Sequence, residues 1–337
     1  VNDVPLSVLD LAPVAAGTTA GDALRNTTEL ARRTEQLGYH RFWVAEHHNM
    51  PGIASSAPAV LLAHLAAATS TIRVGSGGVM LPNHAPLVVA EQFGTLEALH
   101  PGRVDLGIGR APGTDQMTAL ALRRTMEGLS AEAFPQELEA LMGYFSGDDP
   151  RQRITATPGR GDAPAIWLLG SSGFSAQLAG LLGLPFSFAH HFSAVNTDAA
   201  LALYRQSFRP SQWLDKPYVM VAVNAICADT DERAEWLSWP SVLSFLRLRQ
   251  GRPGPLPSPE EAAAYPYTDL DLDFAHQRRE GQAMGSPETV GRQLGELLER
   301  TGADELMLTT LVYDISDRVR SFELIAEKVA GGLPSRG

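Results

Sequence analysis

With 337 residues, 44% of them hydrophobic and 19% charged, the chain can bury a large core and does not have the composition of a disordered protein. A net charge of −11 with no Lys/Arg-rich run argues against a phosphate-backbone partner, so nucleic acid is not an expected ligand. The single cysteine, Cys227, has no partner for an internal disulfide, no apolar stretch reaches the roughly 18 residues of a membrane span, and Val1–Leu11 lacks a signal-peptide pattern; a cytoplasmic protein away from membranes is expected.

Pro5–Leu11 reads as a short apolar strand, and Asp22–Leu37 as a helix with Leu24, Leu30, Ala31 and Leu37 at helical spacing, closed by Gly38. The same punctuation repeats: strand Phe42–Ala45, helix Ala57–Thr69, strand Ile72–Met80, helix Leu87–His100, strand Val104–Ile108. After Gly109 the rhythm breaks, with a polar segment through Arg124 and a helix from Glu132 to Phe145, before strand five at Ala165–Leu169. Helix Phe174–Leu182, strand Phe186–Ala189, helix Thr197–Phe208 and strand Tyr218–Ala228 follow. Helix Glu232–Arg249 precedes Gly251–Pro259, whose four prolines and two glycines predict a long loop. A helix at Pro287–Thr301, with Ser286 placed to cap it and Pro287 at its first position, leads to strand eight, Glu305–Thr309, and a closing helix around Asp317–Val329. Strands alternating with helices to a count of eight predict an α/β fold, a (β/α)8 TIM barrel, as one domain over residues 1–337. The extra length sits in insertions after strands four and seven, Arg110–Arg160 and Gly251–Gly285, and connections this long in a compact enzyme are usually lids or binding loops.

In such a barrel the loops after the strands carry the reacting groups. Strand two stops abruptly in an acid and two imidazoles, RFWVAEHHNM over Arg41–Met50, which makes Glu46, His47 and His48 the first catalytic candidates; a merely solvated strand end has the same look. Side chains alternate along a strand, so Glu46 and His48 point one way and His47 the other, and adjacent histidines are poor partners for a single metal. A metal reading would join Glu46 and His48 to His84 or His190 from other strand ends, but the chain has neither an H-x-H pair nor an HExxH helix, and no metal is expected.

Strand three, IRVGSGGVMLPNHAP, holds Gly75, Gly77 and Gly78 inside an apolar run, which marks either the close approach of a flat ligand or tight packing within the barrel. Strand four ends DLGIGRAPGTD: Gly107 and Gly109 fit G-x-G, but Pro112 stands where the third glycine of a dinucleotide fingerprint belongs. Arg110 remains, a permanent cation at the mouth suited to phosphate or carboxylate. Strand five runs into LLGSSGFSAQLAGL, placing Gly170, Ser171, Ser172 and Gly173 at a helix start where free N–H groups favour an anion and Ser172 and Ser175 add hydroxyls. A phosphate between this helix and Arg110 is one reading, and a serine that only caps the helix is the other. The segment is neither a P-loop nor a nucleophile elbow.

Together, WVAEHH after strand two, VGSGGVMLP at strand three, PGRVDLGIGRA at strand four and LLGSSGFSAQLAGLLGLPFSFAHHF across strands five and six resemble the bacterial luciferase-like family of flavin monooxygenases. The likeness is to its single-chain oxidoreductases rather than to the light-emitting subunits, and runs from Pro5 to Phe192, then more loosely to Val329. It implies a barrel that binds reduced FMN, reacts it with O2 to a flavin C4a-peroxide and transfers one oxygen to an organic substrate. By the same resemblance His47 matches the catalytic acid/base, with Glu46 and His48 supporting the mouth. Arg110, Ser172 and Ser175 match the positions that hold the FMN phosphate, with Ser171 in the same turn. Gly77 and Gly78 match the wall behind the isoalloxazine, where a non-prolyl cis peptide is characteristic. Gly109 stands where luciferases carry a reactive cysteine, and His190, carried over as a flavin contact, where they have a tryptophan; neither light emission nor a long-chain aldehyde substrate follows.

The expectation is therefore a two-component monooxygenase, with a separate flavin reductase supplying FMNH2, because the chain has no fingerprint for holding NAD(P)H firmly. O2 is the co-substrate and a small organic molecule the substrate, with desulfurisation, degradation and polyketide tailoring in secondary metabolism all represented among related enzymes. The resemblance also implies a homodimer, with Ala57–Thr69 and Leu87–His100 as candidate interface helices. The alternatives are a deazaflavin-dependent oxidoreductase on the same barrel, a metal-dependent TIM-barrel hydrolase and a non-catalytic flavin-binding protein.

Overall fold

The computed structural model describes residues 4–111, 115–123, 133–146 and 153–334. Parts of the Arg110–Arg160 insertion, among them Pro112, Arg124 and Glu132, lie outside the described residues. The first half alternates strand and helix: β1 (Leu6–Asp10), α1 (Ala20–Gln36), β2 (Arg41–Val44), α2 (Pro58–Ala68), β3 (Arg73–Met80), α3 (Pro86–Leu99) and β4 (Val104–Gly109). Within the first insertion are α4 (Gln116–Arg123) and α5 (Phe134–Ser146). The alternation resumes with β5 (Ala165–Gly170), α6 (Gly173–Leu182), β6 (Phe186–Ala189), α7 (Thr197–Ser207), β7 (Val219–Cys227) and α8 (Asp231–Arg249). The second insertion holds α9 (Pro259–Ala264), α10 (Asp269–Arg279) and a short strand, β8 (Ala283–Gly285). The chain then runs through α11 (Pro287–Thr301), β9 (Glu305–Thr309) and α12 (Ile315–Lys328).

All strand pairings are parallel, in the order β6-β5-β4-β3-β2-β1-β9-β7, and β6 pairs with β7 to close the ring. This is the expected eight-stranded barrel, with β9 as its eighth strand. β8 stands outside it, paired only with the C-terminal end of β7. Residues 251–258 form no helix, as expected of the loop at Gly251–Pro259, but the insertion then holds two helices that were not expected. Thr268 caps α10 in a reciprocal box with Asp271, and Ser258 caps α9. The apolar residues of α10, in DLDLDF, alternate with a period of two, so no helical stripe marks this helix in the sequence. α11 begins as its sequence predicts, with the Ser286 side chain accepting from the Thr289 N–H and Pro287 in the first turn.

Each strand is buried on both faces, as parallel strands between helices and a filled interior must be. Val8, Phe42, Val74, Leu106 and Phe186 face the helices, each side chain contributing about 1.5–3 kcal/mol by its burial. Leu9, Trp43, Trp167, Met220 and Met307 face inward and form a separate apolar layer. Below that layer the barrel is closed by charge. The Arg41 guanidinium lies 2.9 Å from both Asp105 and Glu305, Arg73 reaches Asp105 at 2.6 Å, and Tyr218 donates to Glu305 at 2.9 Å. Trp43 Nε1 donates to Asp105 at 2.9 Å, tying the apolar layer to this floor. Among the described residues a cleft opens at the opposite end, at the C-terminal edges of the strands.

Candidate active site

Above the Trp43 layer, a cleft of about 240 Å³ opens among the strand C-termini. It brings together His47, Gly77, Gly78, Arg110 and the Ser171–Ser175 turn. Glu46, His48 and His190 are not part of its lining.

The alternation at the end of β2 separates the three polar residues as their spacing predicts. Glu46 is fully buried behind the wall. Its Oε1 accepts from His48 Nε2 and His84 Nε2, both at 2.8 Å, and its Oε2 accepts from the Met80 backbone N–H at 3.0 Å. Burial would raise this carboxyl's pKa, yet the bonds from His84, His48 and Met80 outweigh it and hold the group below the usual glutamate value. Glu46 is thus an ionised tether between the ends of β2 and β3, a positioning residue. Among the described residues no group of His, Cys, Asp and Glu side chains is arranged to hold a metal ion.

His47 points into the cleft, and its Nδ1 is buried without a hydrogen-bond partner. Burial lowers its pKa below the ordinary histidine value, against the pull of the Glu46 carboxylate, so the imidazole is neutral at pH 7. Its backbone N–H donates to the Ser55 carbonyl at 3.0 Å, fixing the loop that presents it.

The glycine strand forms one wall. The Gly77–Gly78 peptide is cis, as the family resemblance implies, and the register with β4 shifts between Gly77 and Val79. A β-carbon on Gly77 would lie 2.6 Å from Leu9 Cδ1, and one on Gly78 2.8 Å from the Gly107 carbonyl oxygen. Tight packing and an open flat wall are therefore the same feature here: no side chain projects because none fits.

Across the cleft, α6 begins at Ser172, whose extended backbone makes it the N-cap although its side chain makes no capping bond. The first N–H groups of the helix are therefore not occupied by a cap, and the buried Ser175 hydroxyl lies one turn in. Arg110 stands at this end with its guanidinium 4.4 Å from the centre of the Phe174 ring. A cation and a helix N-terminus on one cleft make an anion cradle.

His190 is 2% exposed, turned away with Nδ1 2.7 Å from the Thr197 hydroxyl, and lines a separate polar groove with Arg279 and Arg300. Its neighbour His191 is the one in the cleft. His191 Nδ1 donates to the Ala222 carbonyl at 3.0 Å, so Nε2 carries a lone pair, and burial pushes its pKa down to about 4. Strand alternation had the signal, since Ser187, Ala189 and His191 follow one another inward. Asn224 was also missed. It follows Met220 and Ala222 on the inward face of β7, and its Oδ1 is buried without a partner. Arg278 and Phe245 reach the cleft from α10 and α8, and no local pattern marks them.

The sequence model of a family described as luciferase-like monooxygenase matches residues 4–305. The Bacillus subtilis protein YvbT is 52% identical, over 96% of this chain and 96% of its own length. An Escherichia coli protein named luciferase-like monooxygenase is 47% identical, covering 95% of this chain and 96% of itself. The N-acetyl-S-alkylcysteine monooxygenase of Bacillus subtilis is 36% identical over 97% and 98%. Among solved structures, apo-MsnO8 aligns with a TM-score of 0.91 and 40% identity over 99% of this chain and 100% of its own. The fold extends to the FMN complex of the oxygenating constituent of 3,6-diketocamphane monooxygenase from Pseudomonas putida, with a TM-score of 0.74 and 20% identity over 99% of each chain. It is shared as well by an F420-dependent secondary alcohol dehydrogenase, with a TM-score of 0.66 and 15% identity over 99% and 100%.

Proposed function

This chain belongs to the luciferase-like monooxygenase family and is a flavin-dependent monooxygenase, and from that premise we propose that it is the oxygenating member of a two-component system. It takes reduced FMN from a separate reductase and uses it with O2 to oxygenate a small organic substrate. The observation that carries this reading is the convergence on one cleft of an anion cradle, a side-chain-free wall and a neutral imidazole. Arg110, Ser172, Ser175 and the N–H groups of α6 would hold the phosphate, and the Gly77–Gly78 wall leaves room for a flat ring. When bound, reduced FMN supplies the electrons that activate O2 for insertion of one oxygen atom. The His47 imidazole lines the cleft, where it can exchange a proton with the reacting groups, and neutral imidazole can accept one near pH 7. Leu9, Leu169 and Met307 along the cleft lower its water content, which favours oxygen transfer over loss as hydrogen peroxide. The absence of a G-x-G-x-x-G fingerprint in the sequence supports a reductase on another chain.

Arg110→Ala tests the reading at its anchor. Loss of a charge-assisted bond of about 1.5–3 kcal/mol should weaken reduced-FMN binding by about tenfold or more in an anaerobic titration. An unchanged affinity would remove the phosphate from this end of the cleft.

A further inference from the structure

The cleft carries a second cation that the flavin reading leaves unused. Arg278 lies in the last turn of α10, and its guanidinium carbon sits 3.4 Å from the centre of the Phe245 ring on α8. Both side chains line the cleft beside His191. The next residue, Arg279, does not line the cleft: it pairs with Glu235 at 2.9 Å, with its own Nε also buried without a partner. Arg278 has no such carboxylate among the described residues, and its Nε is buried with no hydrogen-bond partner. Burial pulls its pKa down to about 10, which still leaves the guanidinium charged at neutral pH. His191, with Nε2 unprotonated, adds no positive charge of its own nearby.

A partly buried cation held over an aromatic ring recovers part of its lost hydration from the ring face, but among the described residues its terminal nitrogens still lack acceptors. An anion entering the cleft would supply them. In the ring order Arg110 follows β4 and Arg278 follows the β7 connection, with β5 and β6 between, so the two guanidinium groups serve different parts of the cleft. Between them the lining is mainly apolar, with Leu169, Ala189 and Ala222.

We propose that Arg278, stacked on Phe245, binds a carboxylate of the substrate, and that the substrate class is a small organic acid with an apolar body. This rests on the flavin reading in one respect: Arg110 and α6 take the FMN phosphate and leave Arg278 to the substrate.

Matched probes separate the possibilities. Octanoate and octanamide would be titrated calorimetrically into wild-type protein saturated with oxidised FMN, after the FMN affinity itself has been measured. Octanoate should bind about tenfold or more tightly than octanamide, as a charge-assisted contact implies. Arg278→Gln should erase that preference while leaving FMN affinity within about twofold, which also reports that the variant is folded. Arg278→Lys, keeping the charge, should retain most of the preference. Equal binding of the two probes by wild type, or a preference that survives in Arg278→Gln, would overturn the proposal. So would an Arg278→Gln variant that loses FMN as Arg110→Ala does, because Arg278 would then belong to the phosphate. If wild type binds no FMN, the flavin reading fails separately, and the octanoate preference is read in the protein alone.

Discussion

Two histidines share the cleft and both are held neutral, but for different purposes. The His47 ring lines the cleft, where a ligand can meet it. His191 has committed its Nδ1–H to the Ala222 carbonyl. That makes His191 a proton-linked element of stability. With an unfolded pKa near 6.5 and a folded pKa of about 4, the unfolded chain binds more protons between these values, so stability rises with pH across that window. The native state should lose stability as pH falls below about 6.5, with the loss complete near 4. His191→Asn can still donate to Ala222 and takes up no proton, so its urea midpoint should fall less than that of wild type between pH 7.5 and pH 5. Parallel falls would show that His191 protonation is not coupled to folding. His47 was legible in the sequence because it sits at an abrupt strand end; His191 was passed over for His190 although strand alternation points to the second of the pair.

At the scale of elements, β3 and β4 set the shape of the cleft. Their contact is closest where Gly107 meets the β3 backbone: a β-carbon on Gly107 would lie 2.0 Å from the Ser76 carbonyl oxygen. Gly107→Ala should therefore destabilise the fold by about 1–3 kcal/mol, the range of an overpacked core, seen as a lower urea midpoint. An unchanged midpoint would mean that the two strands part easily and that the wall is softer than its packing suggests. The strand glycines were readable as either wall or packing, and the structure makes them both. The helices of the second insertion were readable only at their starts. α9 starts at Ser258-Pro259 and α10 at a Thr268-x-x-Asp271 box, local signals of the kind that marks α11, but α10 carries its apolar residues at strand-like spacing and depends on contacts such as Arg279 with Trp239, which no local window contains. Arg278 went unseen for that reason, since its place over Phe245 is made by tertiary packing between α8 and α10.

For the whole molecule, the eight-fold alternation of strands and helices was enough to specify the barrel, because each apolar strand can be buried on both faces only inside a shell of helices. The ionic floor of Arg41, Asp105 and Glu305 was not foreseen, since its members are spread over β2, β4 and β9. No described helix is long and apolar enough to cross a membrane. We also propose the homodimer that the family resemblance implies. Val60 on α2 is 72% exposed and Leu99 on α3 67% exposed, an apolar surface on the two helices that the family resemblance implicates. Light scattering at micromolar concentration should give twice the chain mass, and a monomer would remove this interface from the account. The central claim is that the barrel uses bound reduced FMN to control O2. The most direct measurement is anaerobic loading of the protein with reduced FMN, followed by rapid mixing with O2 and detection of the returning oxidised-flavin absorbance. The account predicts that wild type binds reduced FMN and delays that return at least about tenfold relative to free flavin, whereas His47→Ala binds FMN equally well and loses the delay, in keeping with the roughly 10²–10⁴-fold effect of removing a general acid/base. Return at the free-flavin rate in wild type, or binding of F420 in place of FMN with anaerobic hydride transfer, would contradict it.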